Sequence, residues 1–248
     1  MRTDILLVTY RKDYDFAVLC IRSISKFAKD FGGVSIVCPV EDETLFSPLA
    51  SHYRRNDLPI EVKSYIPKKE YEFNHHQVIK CYADVFCPSA AFILHIDSDC
   101  IFTDEVTPAD YFTDGKPQLL IRSYKTSDPC YIWKAPTSKA LMMDCEFETM
   151  ARHPAIHHCN SYKELRNYME FKHGIPFSEW VLKQPSNYPM CHFSEFNTLG
   201  SYVIAYAPER YSIINLDKQD APANKMIQGW SWGGVEQSKN EYEKILSR

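Results

Sequence analysis

The sequence predicts an α/β protein with a mostly parallel central sheet flanked by helices. Three observations predict it. Short apolar, β-prone runs recur through the first hundred residues. Segments with helix-spaced apolar residues lie between them. The last of these runs is apolar apart from one histidine, as suits a strand buried on both faces.

Ile5 to Tyr10 is the first strand. Asp13 to Phe31 is a helix, with Ala17, Cys20, Ile21, Ile24, Phe27, Ala28 and Phe31 at helical spacing and Gly32-Gly33 as its stop. Val34 to Val40 is the second strand, Thr44 to Tyr53 a short helix interrupted by proline, and Ile60 to Ile66 an alternating third strand. Asn74 opens a helix that it can cap, with Gln77 at the third helical position and Phe73 and Val78 as the hydrophobic staple. Phe92 to Ile96 is the fourth strand.

The second half is less regular. Tyr131 to Ala135 reads as an edge strand and Thr137 to Arg152 as a helix ended by Pro154. Ser161 with Glu164 is a capping box for a helix that stops near Gly174. Ser194 caps a helix running to the residue before Pro208, Arg210 to Leu216 is strand-like, and the charged tail from Glu236 to Arg248 is a surface helix. No repeat, low-complexity stretch or linker interrupts the chain, so residues 1–248 read as one domain.

Composition narrows the function. The chain is 45% apolar and 24% charged, ordinary for a soluble globular protein. A net charge of −4 leaves no basic footprint for nucleic acid or an anionic membrane. Nine cysteines, an odd number without a CxxC pair, include Cys20 and Cys38 inside apolar runs. They read as reduced, mostly buried thiols of an intracellular protein. The apolar run at the N-terminus is too short for a signal peptide, and no segment reaches membrane-spanning length. A soluble, cytoplasmic protein is therefore expected, unless a partner or a missing region anchors it.

The strongest chemical signal is Ile96-Asp97-Ser98-Asp99. Two carboxylates stand one residue apart where an apolar strand ends, the edge at which open α/β sheets bind ligands. Burying two anions there without a counter-charge is costly. A divalent cation resolves it, and hard oxygen ligands suit Mn²⁺ or Mg²⁺. Such a metal would stabilise charge building on a leaving nucleoside diphosphate. The plainer alternative is a strand-ending turn, which aspartate favours.

The segment Gln77-Val78-Ile79-Lys80-Cys81-Tyr82-Ala83, followed by Ile93-Leu94-His95-Ile96-Asp97-Ser98-Asp99, resembles the Q-x-x-K-L-x-A helix and D-x-D strand of GT-A glycosyltransferases. It is similar to small bacterial and algal-virus members with a DUF6492-like pattern. Phe193 to Gly200 resembles their S-E-[YF]-x-x-x-G segment, and Gly229 to Gly234 their W-S-x-G element. The likeness spans roughly residues 4–235, with Cys81 where leucine is usual. It implies a GT-A (nucleotide-diphospho-sugar transferase) fold, residues 1–103 forming the nucleotide-binding half and 104–248 the acceptor-binding half. It also implies an enzyme that moves a sugar from a nucleotide-diphosphate donor, usually a UDP-sugar, to a hydroxyl of a glycan or other acceptor. Where the viral likeness applies, the setting is the host cytoplasm.

The resemblance places the donor nucleotide against the end of the first strand, here Thr9 and Tyr10, where Thr9 can donate to the base and Tyr10 can stack on it. It turns Lys80 toward the nucleotide, where a lysine can pair with phosphate. A plain strand end and a solvated helix lysine are the alternatives. Gln77 is accounted for equally well as a capping partner alone.

Glu195 is the candidate catalytic base: an inverting transfer needs one carboxylate to take the acceptor hydroxyl's proton. Its place in the first helical turn favours the ionised form, although first-turn glutamates are often structural. Asp128 is the rival base, on a loop assigned to the acceptor side. Trp230, Ser231 and Trp232 lie in a glycine-flanked loop whose rings can stack on sugars and whose amides can hold phosphate. His75-His76 and His157-His158-Cys159 lack a second ligand pair at zinc spacing.

Three other classes compete. A sugar-nucleotide pyrophosphorylase needs a glycine-rich basic loop after the first strand, where this chain has Thr9-Tyr10-Arg11-Lys12-Asp13. A haloacid-dehalogenase-like phosphatase carries its D-x-D on the first strand of its fold. A non-catalytic carbohydrate-binding module on the same fold would suit the 16 tyrosines and 4 tryptophans.

Overall fold

A computed structural model describes residues 1–68, 72–150, 154–185, 192–229 and 234–248, with the backbone alone for 72 and 73. Its contacts divide the chain into two compact units, each built from separate stretches of sequence. The first is Met1–Ile66, Phe86–Tyr111 and Pro222–Arg248; the second is Pro67–Val85 and Phe112–Ala221. The 1–103 half thus lends Pro67–Val85 to the second unit, and the 104–248 half lends residues 104–111 and Pro222–Arg248 to the first.

In chain order the elements begin with β1 (Thr3–Val8), α1 (Tyr14–Phe27), β2 (Val34–Pro39), α2 (Glu43–Tyr53) and β3 (Ile60–Tyr65). After α3 (Glu72–Lys80) and α4 (Ala83–Phe86) come β4 (Phe92–Asp97) and β5 (Cys100–Phe102). Next are β6 (Phe112–Thr113), β7 (Lys116–Ser123), α5 (Lys134–Leu141), β8 (Phe147–Glu148) and β9 (Ala155–His158). The chain closes with α6 (Cys159–His173), α7 (Phe177–Leu182), α8 (Glu195–Tyr206), β10 (Ser212–Asn215), β11 (Met226–Gln228) and α9 (Val235–Leu246). The protein is of the α/β class, and no described helix is long and apolar enough to cross a membrane.

In the first unit β3, β2, β1 and β4 lie side by side, all parallel. Every residue of β1 and β2 is buried, as is β4 up to Ile96, which explains their unbroken apolar runs. In register, Val8 of β1 faces Val37 of β2 on one side and Asp97 of β4 on the other. The three strands therefore end together, and Thr9 and Asp97–Asp99 emerge at one sheet edge. Helix α1 buries Phe16, Ala17, Leu19, Cys20, Ile21 and Ile24 along its stripe. It ends at Phe27 rather than Phe31 because Ala28 turns extended and bridges Val106, whose amide donates to the Phe27 carbonyl at 3.0 Å.

The tail is not a surface helix only. α9 buries Tyr242, Ile245 and Leu246 in one cluster with Phe16, Leu19 and Ile101. Tyr242 meets Phe16 edge to face at 6.5 Å, and Lys26 Nζ caps the helix by donating to the Leu246 carbonyl at 2.9 Å. Burial of each large apolar side chain contributes about 1.5–3 kcal/mol, which is why the tail folds onto α1. Just before it, β11 pairs antiparallel with β5, setting Gln228 opposite Cys100.

In the second unit β7 pairs antiparallel with β6 and β8 and parallel with β10. The core is filled by Tyr162, Leu165 and Met169 of α6, Phe177 and Val181 of α7, and Phe196, Leu199 and Val203 of α8. Several sequence expectations change here. Asn74 lies inside α3, not at its cap, and its amide donates to the Gln184 carbonyl at 2.6 Å and the Val181 carbonyl at 3.3 Å. Residues 131–135 are not a strand: Asp128 caps a 3-10 helix over Pro129–Trp133, with proline at its start, and α5 follows at once. That helix stops at Leu141 because Met142 takes a left-handed conformation, φ 50, which frees Phe147 and Glu148 to pair with β7. α6 begins at Cys159, capped by His158 Nδ1, so Ser161 and Glu164 are no capping box; they bond to Tyr211 and Arg210 instead. Its end at Gly174, φ 69, agrees with expectation.

Candidate functional site

The acidic sheet edge lies wholly in the first unit. Ser98 and Asp99 are buried, at 5% and 7% exposure, and Asp97 is half-buried. Asp99 is held through both its side chain and its backbone. Its carboxylate Oδ1 accepts from Gln228 Nε2 at 3.2 Å. Its carbonyl accepts from the Gly229 amide at 2.8 Å and from the Tyr242 hydroxyl at 2.6 Å. The C-terminal segment thus fixes the backbone of the D-x-D turn. A side chain at 229 would collide with this arrangement, since a Cβ there would stand 2.5 Å from Ser238 Oγ and 2.6 Å from Tyr242 Oη.

Asp13 adds a third acid. Ser98 Oγ donates to its Oδ2 at 3.1 Å. Burial raises the Asp13 carboxyl above its usual range; the Ser98 bond opposes the shift, and the charges of Asp99 and Asp97 add to it. Negative charge is therefore concentrated at this edge. Thr9 is fully buried, its amide donates to the Val37 carbonyl at 2.9 Å, and its hydroxyl has no hydrogen-bond partner among the described residues. Tyr10 is half-buried with extended backbone, and Lys12 Nζ lies 5.8 Å from its ring centre. The loop is pinned by buried Asp42, which accepts from the Arg11 amide at 2.8 Å and Arg11 Nε at 2.9 Å.

Lys80, Glu195 and Asp128 lie in the second unit. Lys80 at the end of α3 and Glu195 at the start of α8 meet as an ion pair, Nζ to Oε1 at 3.0 Å, with side chains 15% and 8% exposed. Lys80 also stands 5.1 Å from the Phe196 ring centre. It is thus not a solvated lysine, and each charge compensates the other. Ser194 takes the N-cap position without a capping bond; its hydroxyl accepts from Asn197 Nδ2 at 3.0 Å. Asp128 is committed locally: Oδ1 accepts from the Cys130 amide at 2.8 Å and Oδ2 lies 3.3 Å from Arg122. The Cys130 bond and the Arg122 charge hold its carboxyl below the usual range, which makes it a weak base. Trp230, Ser231 and Trp232 lie outside the described residues.

The histidine clusters have local roles. His157 is 1% exposed and stacks on Phe196, centroids 6.3 Å apart and planes 9° from parallel. Burial pushes its pKa down to about 3, so it is a neutral core residue. His75 Nδ1 accepts from the Lys68 amide at 2.9 Å.

Sequence reasoning passed over Asp13, Gln228 and Tyr242. In the sequence Asp13 reads only as the start of the first helical stretch. Tyr242, Ile245 and Leu246 form a short apolar stripe in the tail that signals a buried face. No curated protein matches the chain. Residues 5–228 match the family described as a family of unknown function, DUF6492. That match takes in β1 from Ile5 onward, the acidic edge, Lys80, Glu195 and Gln228, so the chain is a member of the DUF6492 family.

Proposed function

We propose that this protein is a metal-dependent glycosyltransferase of the GT-A type, moving a sugar from a nucleotide-diphosphate donor, a UDP-sugar, to a hydroxyl of a glycan or other acceptor. The observation that carries the proposal is the Asp97-Ser98-Asp99 turn at the end of a buried parallel strand, joined there by Asp13. Acidic groups crowded at that edge suit a positive ligand.

Among the described residues no three histidine, cysteine or acidic side chains form a metal-holding group. Two carboxylates are enough for Mn²⁺ or Mg²⁺ when substrate phosphates and water complete the coordination. Asp97 and Asp99 would hold the ion, which when bound supplies Lewis-acid stabilisation of the departing diphosphate. The chain's own part is positional. Gly229, Gln228 and Tyr242 fix Asp99 before any ligand arrives, and Ser98 ties the turn to Asp13. Thr9 offers an unspent buried hydroxyl for the nucleotide, with Tyr10 beside it.

Glu195 is the proposed base for the acceptor hydroxyl, with inversion as the outcome. Lys80 balances its charge, so a phosphate that engages Lys80 must draw it from Glu195. A cytoplasmic setting belongs to the same proposal and suits the eight free thiols among the described cysteines. The test is thermal denaturation with UDP, GDP and their sugars, with and without Mn²⁺. A metal-dependent rise in Tm with at least one nucleotide is expected, about 2.7 kcal/mol of stabilisation at a hundredfold excess over Kd, and it should vanish in Asp99→Ala. No metal-dependent response to any nucleotide would sink the proposal.

A further inference from the structure

Asp99 and Gln228 both belong to the first unit. The pairing of β11 with β5 sets Gln228 opposite Cys100, the residue after Asp99. The Gly229 amide then donates to the Asp99 carbonyl at 2.8 Å. Strand pairing therefore holds the chain up to Gln228, and this bond holds it immediately after. From that fixed backbone the half-buried Gln228 side chain reaches the Asp99 carboxylate, Nε2 to Oδ1 at 3.2 Å.

That distance is long for an amide that donates to an oxygen, where about 2.9–3.0 Å is usual. It is close to the spacing of two oxygens on one hard cation. Neighbouring ligands of an octahedral ion, each about 2.1 Å from it and at right angles, lie roughly 3.0 Å apart. The oxygen and nitrogen of a glutamine amide are alike in size, and a half-turn of the amide exchanges them without moving the backbone. Such a turn brings Oε1 to where Nε2 stands, 3.2 Å from Asp99 Oδ1. A hydrogen-bonded pair thereby becomes a pair of ligands. The amide is also neutral, so it adds an oxygen without a further negative charge at an edge that already holds Asp13, Asp97 and Asp99.

We propose that Gln228 is a third protein ligand of the divalent cation at the acidic edge, its amide turning over to present Oε1 beside Asp97 and Asp99 when the ion enters. The assignment rests on the glycosyltransferase reading of that edge and adds to it a residue that no D-x-D spacing marks. The rival role is that of a positioning residue, which keeps donating to Asp99 and only orients its carboxylate. The two roles ask for opposite chemistry at position 228. A ligand must offer an oxygen, whereas an orienting partner must offer an N–H.

The test is Mn²⁺ binding to the full chain, with and without UDP, followed by the loss of the free-ion signal in electron paramagnetic resonance. Gln228→Leu keeps the approximate size and loses both polar atoms. Gln228→Glu keeps an oxygen but, ionised, has nothing to donate to Asp99. Mn²⁺ should bind about tenfold more weakly to Gln228→Leu and at least as tightly to Gln228→Glu as to the wild type. Equal weakening in both variants assigns Gln228 to donation alone and overturns the proposal. So does an unchanged affinity in Gln228→Leu. Thermal denaturation without metal checks that each variant folds, and Gln228→Glu alone separates ligand from donor should Gln228→Leu not fold. A wild-type chain that binds no Mn²⁺ in either condition overturns the glycosyltransferase reading and this assignment with it. Wild-type binding that Gln228→Leu leaves intact overturns the assignment only.

Discussion

Lys80 and Glu195 carry their charges into an interior where neither can remain alone. They sit 115 positions apart in sequence, and each was marked by its own motif, lysine for phosphate and glutamate for a proton. That the two meet was not legible, because a pairing between distant helices leaves no local pattern. The consequence is energetic as well as chemical. Breaking a buried pair strands the partner charge, at a cost of about 3–5 kcal/mol. Lys80→Met should therefore lower the stability of the fold by several kcal/mol through the Glu195 carboxylate it abandons. Adding Glu195→Gln should restore part of the loss. Urea unfolding of both single variants and the double variant measures the coupling. If the double variant loses the plain sum of the single losses, the pair is not the compensated unit described. Asp97 and Asp99, by contrast, were legible at once, since a strand end is a local property and so is the spacing of the two acids.

At the scale of elements, the strands of the first sheet fell within one or two residues of expectation. Burial on both faces had written them as continuous apolar runs. Helix ends were less legible, because tertiary partners decide them: Val106 stops α1, β7 claims residues 147–148, and the carbonyls of Val181 in α7 and Gln184 just after it take the Asn74 amide. The C-terminal element was underestimated for the same reason. Its charged residues advertise a solvated face, while its contribution to the acidic edge comes from Tyr242 and from the Gly229 amide that precedes it. These two contributions should separate experimentally. Tyr242→Phe loses one hydrogen bond while the Asp99 carbonyl keeps Gly229, so it should cost about 0.5–1.5 kcal/mol. Gly229→Ala should cost more, because its Cβ would lie within 2.6 Å of Ser238 and Tyr242 and force both to move. Differential scanning calorimetry ranks the two, and a lower Tm for Tyr242→Phe than for Gly229→Ala would contradict the close approach.

At the scale of the whole molecule, the sequence reads as one continuous domain, whereas each compact unit is assembled from separate stretches. Interleaving of this kind is invisible in local composition, because the chain crosses between units without a linker's signature. It also means that global stability collects contributions from buried groups throughout the chain, among which His157 has the clearest pH signature. In the folded protein its pKa lies at about 3, pushed down by burial, while in the unfolded chain it returns to about 6.5. A depressed folded pKa means that the unfolded state takes up the proton first. The stabilisation held by neutral His157 is therefore complete above about pH 6.5 and declines as pH falls toward 3. His75 and His158, also lowered by burial, act in the same direction. Glu148, raised by burial despite its Arg122 partner, acts oppositely, but only near the lower range where carboxyls titrate. Between pH 7.5 and pH 5 the histidines thus dominate, and His157 alone accounts for about 2 kcal/mol of lost stability. His157→Phe keeps the stacking on Phe196 while removing the titrating ring. Urea unfolding at the two pH values should show a drop for the variant smaller than the wild-type drop by about that amount; equal drops would mean that His157 is not held neutral by its surroundings.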